Sequence, residues 1–367
     1  MTTSAALYPL KFQECIRRYG FGGRRIPEYF GKDLPDGIIA ETWEITEHGA
    51  DVSVVRDGPL AGRNLRSLIA EHGDALLGRR VAAMSPGRFP LLLKFLDAQR
   101  TLGMQVHPDD EFAAAHEPGE SGKTEAWYIV DADPGATLFC GNVPGLTREE
   151  LVRSIAEGNP ERCMAEFAVA PGDTVYVPAG RMHGIGKGIL VYEAQQSCDL
   201  TYGPRGWPRD DPETTRRRIE KFVQACRLED LGDQRIPPVS IQHGRNERRF
   251  LLANRYFAME RLILAEPWHQ HLDGGKFLAY SALSGAGSVE YTGGPPVPFR
   301  RGESLLVPAC LADYTIVPEG ECEIMVAYVP DLPADVVAPL RELGVAPMAI
   351  AALGGPGAAN DVAPLRA

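Results

Sequence analysis

One segment of the chain is present twice, and this repeat limits the possible folds more than any other feature. Residues 171–183 read PGDTVYVPAGRMH and residues 301–313 read RGESLLVPACLAD, so the two segments align without a gap. In each copy a glycine turn leads into a short apolar strand and then a Pro-Ala pair. Self-similar segments of this kind predict two copies of one β-structural unit.

The composition agrees with a chain that is mostly β. The 367 residues are 44% hydrophobic, which is enough to bury more than one core. The 39 Gly and 30 Pro are spread between short apolar runs, as in proteins rich in strands and turns. Length and repeat together therefore favour two β domains.

Side chains that can bind a metal lie on three predicted strands. Gln105 and His107 are two positions apart, so on an extended strand they share one face. Glu125 opens the apolar run 126–130, and His183 ends the first copy of the repeat. The three strands can therefore converge on one ion. Imidazole and oxygen ligands without thiolate are typical of zinc in an open, catalytic site, or of manganese or iron(II).

The first copy of the repeat resembles the closing half of the cupin motif, Gly-Asp-(x)4-Pro-x-Gly-x-x-His. The resemblance implies a small jelly-roll barrel in which this histidine completes a metal site. We therefore predict a mostly β protein with two cupin (jelly-roll β-barrel) domains and a few peripheral helices. The predicted boundaries are residues 1–237 for the metal-binding domain with a connecting helix, 238–332 for the second barrel and 333–367 for a tail rich in Ala, Pro and Gly.

The second copy of the repeat lacks the metal-binding histidine. Asp313 stands where His183 stands in the first copy. His269 and His271 resemble an opening metal pair, but no carboxylate follows them at a suitable spacing. We expect one metal ion per chain and a second barrel that only supports the first.

Three segments are predicted to be helical. Asn64 can cap one helix, and Thr147 begins a capping box with Glu150. Between the barrels, residues 211–226 carry apolar side chains at helical spacing, namely Ile219, Phe222, Val223 and Cys226. A linker is predicted to follow at residues 231–238.

Two further segments have no assigned function. The basic side chains of the connecting helix, Arg216, Arg217 and Lys221, could meet a phosphate, but a solvated helix face is the favoured interpretation. The tail from about residue 333 has little periodicity, so it is expected to be peripheral and partly disordered.

Charge and cysteine content exclude several classes of protein. The net charge is −11 and no basic stripe interleaves with aromatic residues, which argues against a nucleic-acid partner. The seven Cys include no CxxC, so neither a disulfide framework nor a thiolate zinc site is predicted, and a reducing cytoplasm is the expected location. No signal peptide is evident, and no apolar stretch approaches the roughly 20 residues that span a bilayer, so no membrane partner is expected.

Several ordered motifs resemble those of a known family, the type I mannose-6-phosphate isomerases in their shorter bacterial form. The motifs are residues 40–45 (AETWEI), 57–62 (DGPLAG), 89–94 (FPLLLK), 105–110 (QVHPDD), 122–129 (GKTEAWYI) and 188–193 (GILVYE). The resemblance implies a zinc-dependent isomerase that interconverts mannose 6-phosphate and fructose 6-phosphate through a cis-enediol. Its partner would be a small sugar phosphate.

The resemblance also implies roles for individual residues. One zinc ion would be held by Gln105, His107, Glu125 and His183, the set that spacing indicates. Lys123 would be a proton donor or shuttle with a pKa lowered by the nearby cation, and Glu41 or Glu193 could serve as base. The choice among these three catalytic candidates stays open. Lys94 and Trp43 would bind the substrate, with Lys94 a candidate phosphate contact.

Two positions depart from the family pattern. Where the family has Thr-Tyr-Arg after Gln-Gln-Ser-x-Asp, this chain has Gly203 in place of the catalytic arginine. Arg205, or as a weaker candidate Arg209, could restore the charge if the Gly-Pro step turns the chain inward. Two residues of displacement, however, amount to roughly 6 to 7 Å along a strand. Gly103 replaces a serine that contributes a hydroxyl near the phosphate.

These departures keep three functions open. The first is a mannose-6-phosphate isomerase, and the second is an isomerase or epimerase that acts on a different sugar. The third is a noncatalytic sugar-binding cupin, which would retain the metal without turnover. A dioxygenase is a weaker alternative, because cupin dioxygenases usually have more histidines and iron.

Overall fold

The computed structural model describes residues 6–205 and 210–366, and this part of the chain is mostly β. In chain order, strands β1 to β24 are Leu10–Gln13, Cys15–Arg17, Glu41–Ile45, Glu47–His48, Asp51–Val52, Val54–Val55, Leu91–Ala98, Leu102–Gln105, Glu125–Ala132, Thr137–Asn142, Met164–Ala168, Thr174–Val177, His183–Ile185, Ile189–Gln196, Val239–His243, Asn246–Ala253, Ala258–Leu264, Trp268–His271, Leu278–Ser284, Ala286–Tyr291, Val297–Arg300, Ser304–Val307, Asp313–Pro318 and Cys322–Tyr328.

The helices are short and lie between or after the strands. Helices α1 to α8 are Arg25–Phe30, Leu65–Leu77, Arg79–Met84, Asp110–His116, Arg148–Ala156, Pro212–Ala225, Ala338–Glu342 and Pro347–Ala352. One π-helical turn covers Leu332–Val337, and 3-10 turns cover Pro160–Cys163 and Ala363–Arg366.

Two antiparallel sheets from the first two thirds of the chain enclose one core, and we call them the first sheet pair. The larger sheet has the strand order β12-β9-β14-β7-β3-β2, and the smaller has the order β11-β10-β13-β8. Buried residues of both sheets, such as Trp127 in β9 and Leu138 in β10, belong to the same apolar cluster.

The second sheet pair repeats this order. Its larger sheet reads β22-β19-β24-β17-β16-β15 and is extended beyond β22 by β1 and β6, and its smaller sheet reads β21-β20-β23-β18. Strands β12 and β22, which belong to the two copies of the sequence repeat, therefore hold equivalent positions. Every pairing between these strands is antiparallel.

Successive side chains of β14 face opposite sides of their sheet. One side faces the interior of the first sheet pair, and the other contacts the larger sheet of the second pair. Ile189 and Val191 pack in the core of the first sheet pair. Tyr192 and Ala194 instead join a larger cluster that includes residues of the second sheet pair. Glu193 has the parity of Val191, so its side chain faces the interior of the first sheet pair.

The N-terminal strand links the two sheet pairs. In β1, Leu10 pairs with Leu306 of β22, and Phe12 pairs with Val55 of β6. The buried carboxylate of Glu44 in β3 also accepts a hydrogen bond from Ser304 of β22, at 3.1 Å. Residues 1–237 therefore contribute strands to both sheet pairs.

The C-terminal tail differs from the expected peripheral, partly disordered segment. Val336, Leu340 and Ile350 are buried in the large cluster, and Asp361 accepts a hydrogen bond from Arg255 Nε at 2.8 Å. The helices of this tail have five or six residues. Helices this short do not repeat an apolar position often enough for a helical period to be visible in the sequence.

The three predicted helices are confirmed. Asn64 caps α2, and Thr147 and Glu150 form both hydrogen bonds of a capping box at the start of α5. The connecting helix is α6, capped by Asp211 and buried at Phe222. Within the described ranges, no helix has the length and apolar content needed to cross a membrane. All seven cysteines are free thiols.

Candidate metal centre and active site

A cavity of about 700 Å³ lies between the sheets of the first sheet pair. Strands β3, β7, β8, β9, β13 and β14 contribute to its wall, and the loop at 199–202 and helix α6 complete it. The charged lining residues are Glu41, Lys94, Glu117, Lys123, Glu125, Glu193, Asp199 and Arg218. The cavity is large enough to enclose most of a small organic ligand.

Three buried side chains, of which Glu125 lines this cavity, could hold a metal ion. His107, Glu125 and His183 place one ligand atom each within 4.8 Å of one another. Glu125 opens β9, and His183 at the start of β13 pairs with Gln105 at the end of β8. The amide nitrogen of Gln105 lies 3.0 Å from Nε2 of His183. The structure therefore brings together the four predicted ligands.

Backbone carbonyls set the direction in which both histidines face the site. Nδ1 of His107 lies 2.7 Å from the carbonyl oxygen of Leu200, and Nδ1 of His183 lies 2.8 Å from that of Arg181. A carbonyl accepts only, so Nδ1 carries the hydrogen and Nε2 keeps its lone pair. Both lone pairs are then available to a metal, and this arrangement is the usual support of histidine ligands.

The polar atoms at the centre fit a divalent cation. Nε2 of His107 and both carboxylate oxygens of Glu125 are buried and form no hydrogen bond, which is costly unless another ligand meets them. Burial and the charge of Lys123 lower the pKa of His107 to about 3, so its imidazole is neutral at pH 7. Burial raises the pKa of Glu125, but the positive charge of Lys123 outweighs burial, and the net pKa lies well below its ordinary value. Neutral imidazole and ionised carboxylate are the forms that bind metals.

A buried ammonium group lies between two carboxylates on the neighbouring strands. Strand β7 runs between β3 and β14, and Nζ of Lys94 is 3.3 Å from Glu41 and 3.3 Å from Glu193. The indole of Trp43 donates to Glu41 at 2.7 Å, and that of Trp127 donates to Glu193 at 3.2 Å. The cluster is thus held in place from both sides.

Glu193 differs from its neighbours in the direction of its pKa shift. Burial, followed by the negative charge of Glu125, raises the pKa of Glu193 to about 8, although Lys94 and Lys123 act in the opposite direction. A carboxyl group with a pKa near neutrality can both accept and return a proton at physiological pH.

Lys123 contacts the metal-binding group directly. Its Nζ lies 3.2 Å from Glu125. Burial lowers the pKa of Lys123, but the negative charge of Glu125 outweighs it, and the net pKa is raised. Without a cation, the Glu125 carboxylate therefore raises the pKa of Lys123, which is opposite to the lowering expected from the sequence.

Two of the predicted catalytic and substrate-binding residues are not part of the cavity wall. Arg205 is exposed and forms an ion pair with Glu161, so the Gly-Pro step does not turn it towards the cavity. Arg209, the weaker candidate, lies outside the described residues. Trp43 is buried behind Glu41 instead of lining the cavity. It reaches the site only through its hydrogen bond to that carboxylate.

The two glycines that depart from the family pattern have room for a side chain. A Cβ at Gly103 would meet nothing within 4 Å, and one at Gly203 would meet only ordinary contacts at 3.5 Å and beyond. Packing therefore does not require glycine at either position.

Sequence reasoning missed several residues of the wall, above all Arg218. Its helix α6 packs through Phe222 and Ala225, which are four and seven positions further on and buried. Side chains at that spacing share one helix face, so Arg218 lies at the inward end of the buried stripe. The spacing was visible in the sequence, but the buried direction of the helix was not.

The second sheet pair has no counterpart of this metal centre. His271 Nδ1 lies 2.8 Å from Asp313, and both side chains are exposed. By strand register, Leu278 occupies the position that Glu125 has in the first sheet pair. Within residues 6–205 and 210–366, His107, Glu125 and His183 are the single group of three metal-binding side chains that meet.

Comparison with known proteins gives the family. The family model of the type I phosphomannose isomerase catalytic domain matches residues 9–131. A probable mannose-6-phosphate isomerase, GmuF of Bacillus subtilis, is 32% identical over 328 residues, which cover 88% of this chain and 99% of the relative. The chain belongs to the type I phosphomannose isomerases.

Further relatives of this phosphomannose isomerase agree over the same length. The mannose-6-phosphate isomerase of Streptococcus mutans is 33% identical over 87% of this chain and 98% of its own. The crystal structure of the mannose 6-phosphate isomerase from Bacillus subtilis has a TM-score of 0.77 at 30% identity, covering 87% of this chain and 99% of that one. Membership makes the protein an enzyme of the aldose-ketose isomerase class.

Proposed function

We propose that this enzyme interconverts mannose 6-phosphate and fructose 6-phosphate, with one zinc ion per chain. The ion would be held by Gln105, His107, Glu125 and His183. The observation that carries the proposal is the buried set of tautomer-fixed histidines and an unbonded carboxylate at the end of a cavity that also holds Lys94, Lys123 and Glu193.

The reaction moves one proton between neighbouring carbons through a cis-enediol. Glu193 takes the proton from C2 of the aldose, the electrons of that bond form the C1–C2 double bond, and O1 takes a proton from Lys123. Return of the O2 proton to Lys123 and of the carbon-bound proton to C1 then gives the ketose. A bound divalent ion would stabilise negative charge on the substrate oxygens.

Glu41 and Lys94 have supporting roles in this scheme. Lys94 lies 3.3 Å from both Glu41 and Glu193 and so holds Glu193 in place. Glu41 is held by Trp43 and Lys94, as Glu193 is held by Trp127 and Lys94. Glu193 is the better base because its pKa is raised to about 8, close to the pH at which it must exchange a proton.

The architecture that we propose for this chemistry is a pair of cupin barrels, one for each sheet pair. The proposed domain boundaries remain at residues 1–237, 238–332 and 333–367. Strand β1 extends the larger sheet of the second barrel, and the tail packs against the large apolar cluster. The shared strand order of the two sheet pairs supports this division. We expect the enzyme to act in the cytoplasm on a small sugar phosphate.

A coupled assay tests the proposed activity. Zinc-loaded protein would be given mannose 6-phosphate, and fructose 6-phosphate would be followed, with chelator-treated protein and His183→Ala as controls. Turnover that is lost with chelator, restored by zinc and absent from the variant is the expected result. Folded, zinc-replete protein without turnover would contradict the proposal.

A second experiment tests the proton-transfer route. The reaction would be run in deuterated water, and the product analysed by NMR for deuterium on carbon. We expect deuterium on carbon to the extent that the proton held by Glu193 exchanges with solvent before it returns, and a strong loss of rate in Glu193→Gln. An unchanged rate in folded Glu193→Gln would contradict this route.

Action on a different sugar is the second candidate, because two groups that handle charge in the family are absent here. Gly203 and Gly103 stand at those positions, and Arg205 does not replace the missing arginine in the cavity. Unphosphorylated mannose and other hexoses, with and without phosphate, belong in the same assay. A higher kcat/KM for any of them than for mannose 6-phosphate would favour this alternative.

A further inference from the structure

The cavity has three cationic side chains among its described lining residues, Lys94, Lys123 and Arg218. If the substrate carries a phosphate, a cation is needed to meet it, because burying a dianion without a partner is costly. The three cations differ in what already surrounds them.

Lys94 and Lys123 are poor phosphate partners. Lys94 already lies 3.3 Å from each of two carboxylates, and Lys123 lies 3.2 Å from a third. The two ammonium groups thus face three carboxylates, Glu41, Glu125 and Glu193, and all are buried. A phosphate brought here would have to compete with these buried groups for each ammonium group.

The part of the wall around Arg218 differs in its ion pairs. Arg218 pairs with Asp210 at 2.9 Å. The nearby Glu117 pairs with Lys221 at 2.5 Å and accepts a hydrogen bond from Tyr202 at 2.6 Å. In these contacts each cation meets one carboxylate, whereas Lys94 lies between two. Arginine also offers a planar fork of donors that matches phosphate oxygens.

We propose that Arg218 on helix α6 binds the phosphate of the substrate, so that a helix outside the sheets supplies the anion contact that neither Arg205 nor Lys94 provides. This inference rests on the proposed sugar-phosphate substrate. Asp210 acts as the competitor in this scheme, because the incoming phosphate shares or takes over the guanidinium that this carboxylate now holds.

Kinetics of matched variants test the inference. Arg218→Gln keeps much of the side-chain size and removes the charge. We expect it to raise KM for mannose 6-phosphate by about tenfold to hundredfold, as for loss of a charged hydrogen-bonding partner, with a much smaller change in kcat. Turnover of unphosphorylated mannose should not change. Arg218→Lys should restore part of the affinity.

Two further variants separate a phosphate contact from a structural role. Arg217→Gln is the matched control, because Arg217 is the next residue of the same helix and is exposed and paired with Glu213; it should leave every constant unchanged. Asp210→Asn removes the competitor and should lower KM for mannose 6-phosphate. A purely structural role for the Arg218 pair predicts the opposite sign for Asp210→Asn.

Binding measurements keep this test separate from that of the proposed function. Calorimetry with fructose 6-phosphate and with fructose measures the phosphate contribution without turnover. We expect the wild type to prefer the phosphorylated sugar and Arg218→Gln to lose most of that preference. An unchanged preference in folded Arg218→Gln overturns the inference, even with full isomerase activity. A wild type without any preference overturns it as well, whereas binding with preference but no turnover defeats only the proposed reaction.

Discussion

The two sheet pairs have the same strand order, yet they place opposite charges at equivalent positions. Glu260 of β17 holds the position that Lys94 has in β7, because Lys94 pairs with Glu193 and Glu260 pairs with the equivalent Val326. Lys94 also lies opposite Trp43, and Glu260 lies opposite Phe250. Glu41 lies opposite Leu96, which is two positions after Lys94 in β7. Arg248 lies opposite Leu262, which is two positions after Glu260 in β17. Glu41 therefore corresponds to Arg248. An ion pair is therefore retained in both sheet pairs with its polarity reversed, and in the second pair Arg248 is only partly buried.

The remaining difference is in the balance of charge. Arg248 and Glu260 form a closed pair with two hydrogen bonds, at 2.6 and 2.8 Å, and Val326 stands where Glu193 stands in the first sheet pair. In the first sheet pair a second carboxylate shares Lys94, and a third binds Lys123. One order of strands thus holds a closed ion pair in the second sheet pair and a cluster of two ammonium and three carboxyl groups in the first.

The largest expected effect comes from removing a metal ligand and its counterpart. His183→Ala should lower kcat/KM by about a thousandfold, because a catalytic metal contributes several kcal/mol to the transition state. Asp313→Ala removes the residue at the equivalent position of the second sheet pair and should leave kcat/KM unchanged. Metal content by mass spectrometry and activity would be measured together. A metal-dependent loss in Asp313→Ala would show that the second sheet pair has a catalytic role.

The two ion pairs should respond to mutation in different ways. Lys94→Met should reduce kcat/KM by about a hundredfold or more, because it removes a charge that is preorganised in the site. Glu260→Gln should leave activity intact but lower the free energy of unfolding by about 3 kcal/mol, since it leaves Arg248 without its charged partner. Urea unfolding of both variants would check that Lys94→Met is folded when assayed. Reduced activity in stable, folded Glu260→Gln would contradict the proposal that the ion pair of the second sheet pair contributes to stability and not to catalysis.

The sequence was sufficient for features that depend on strand alternation. Gln105 and His107 share a strand face because side chains alternate, and the same rule places Glu193 inside the first sheet pair. The repeat indicated that the chain contains two similar β units before any strand pairing was known. Helix caps at Asn64 and Thr147 were equally local, so their prediction needed no tertiary information.

Features that depend on long-range packing could not be predicted. Strand β1 pairs with β22, almost 300 residues away, and no local pattern encodes that partner. Arg218 required knowledge of which face of α6 is buried. Arg205 was a candidate only if the Gly-Pro step turns the chain inward, and in the structure its guanidinium pairs with Glu161 on the surface.

The last expected effect concerns the pH dependence of stability and leaves the activity comparison aside. Glu193 has no acidic counterpart in the second sheet pair, and its pKa in the folded protein is raised from 4.5 to about 8 by burial and by Glu125. Between these values the folded protein binds more protons than the unfolded chain, so this residue makes the free energy of unfolding fall as pH rises. Urea unfolding of chelator-treated protein from pH 5 to 8 should show that decline in the wild type relative to Glu193→Gln, by at most about 1.4 kcal/mol per pH unit for one proton. Glu290→Gln, on the exposed face of β20, is the control and should match the wild type. A constant difference between the wild type and Glu193→Gln across this range would mean that Glu193 is ionised throughout, and the contrast with the balanced second sheet pair would then rest on the metal ligands alone.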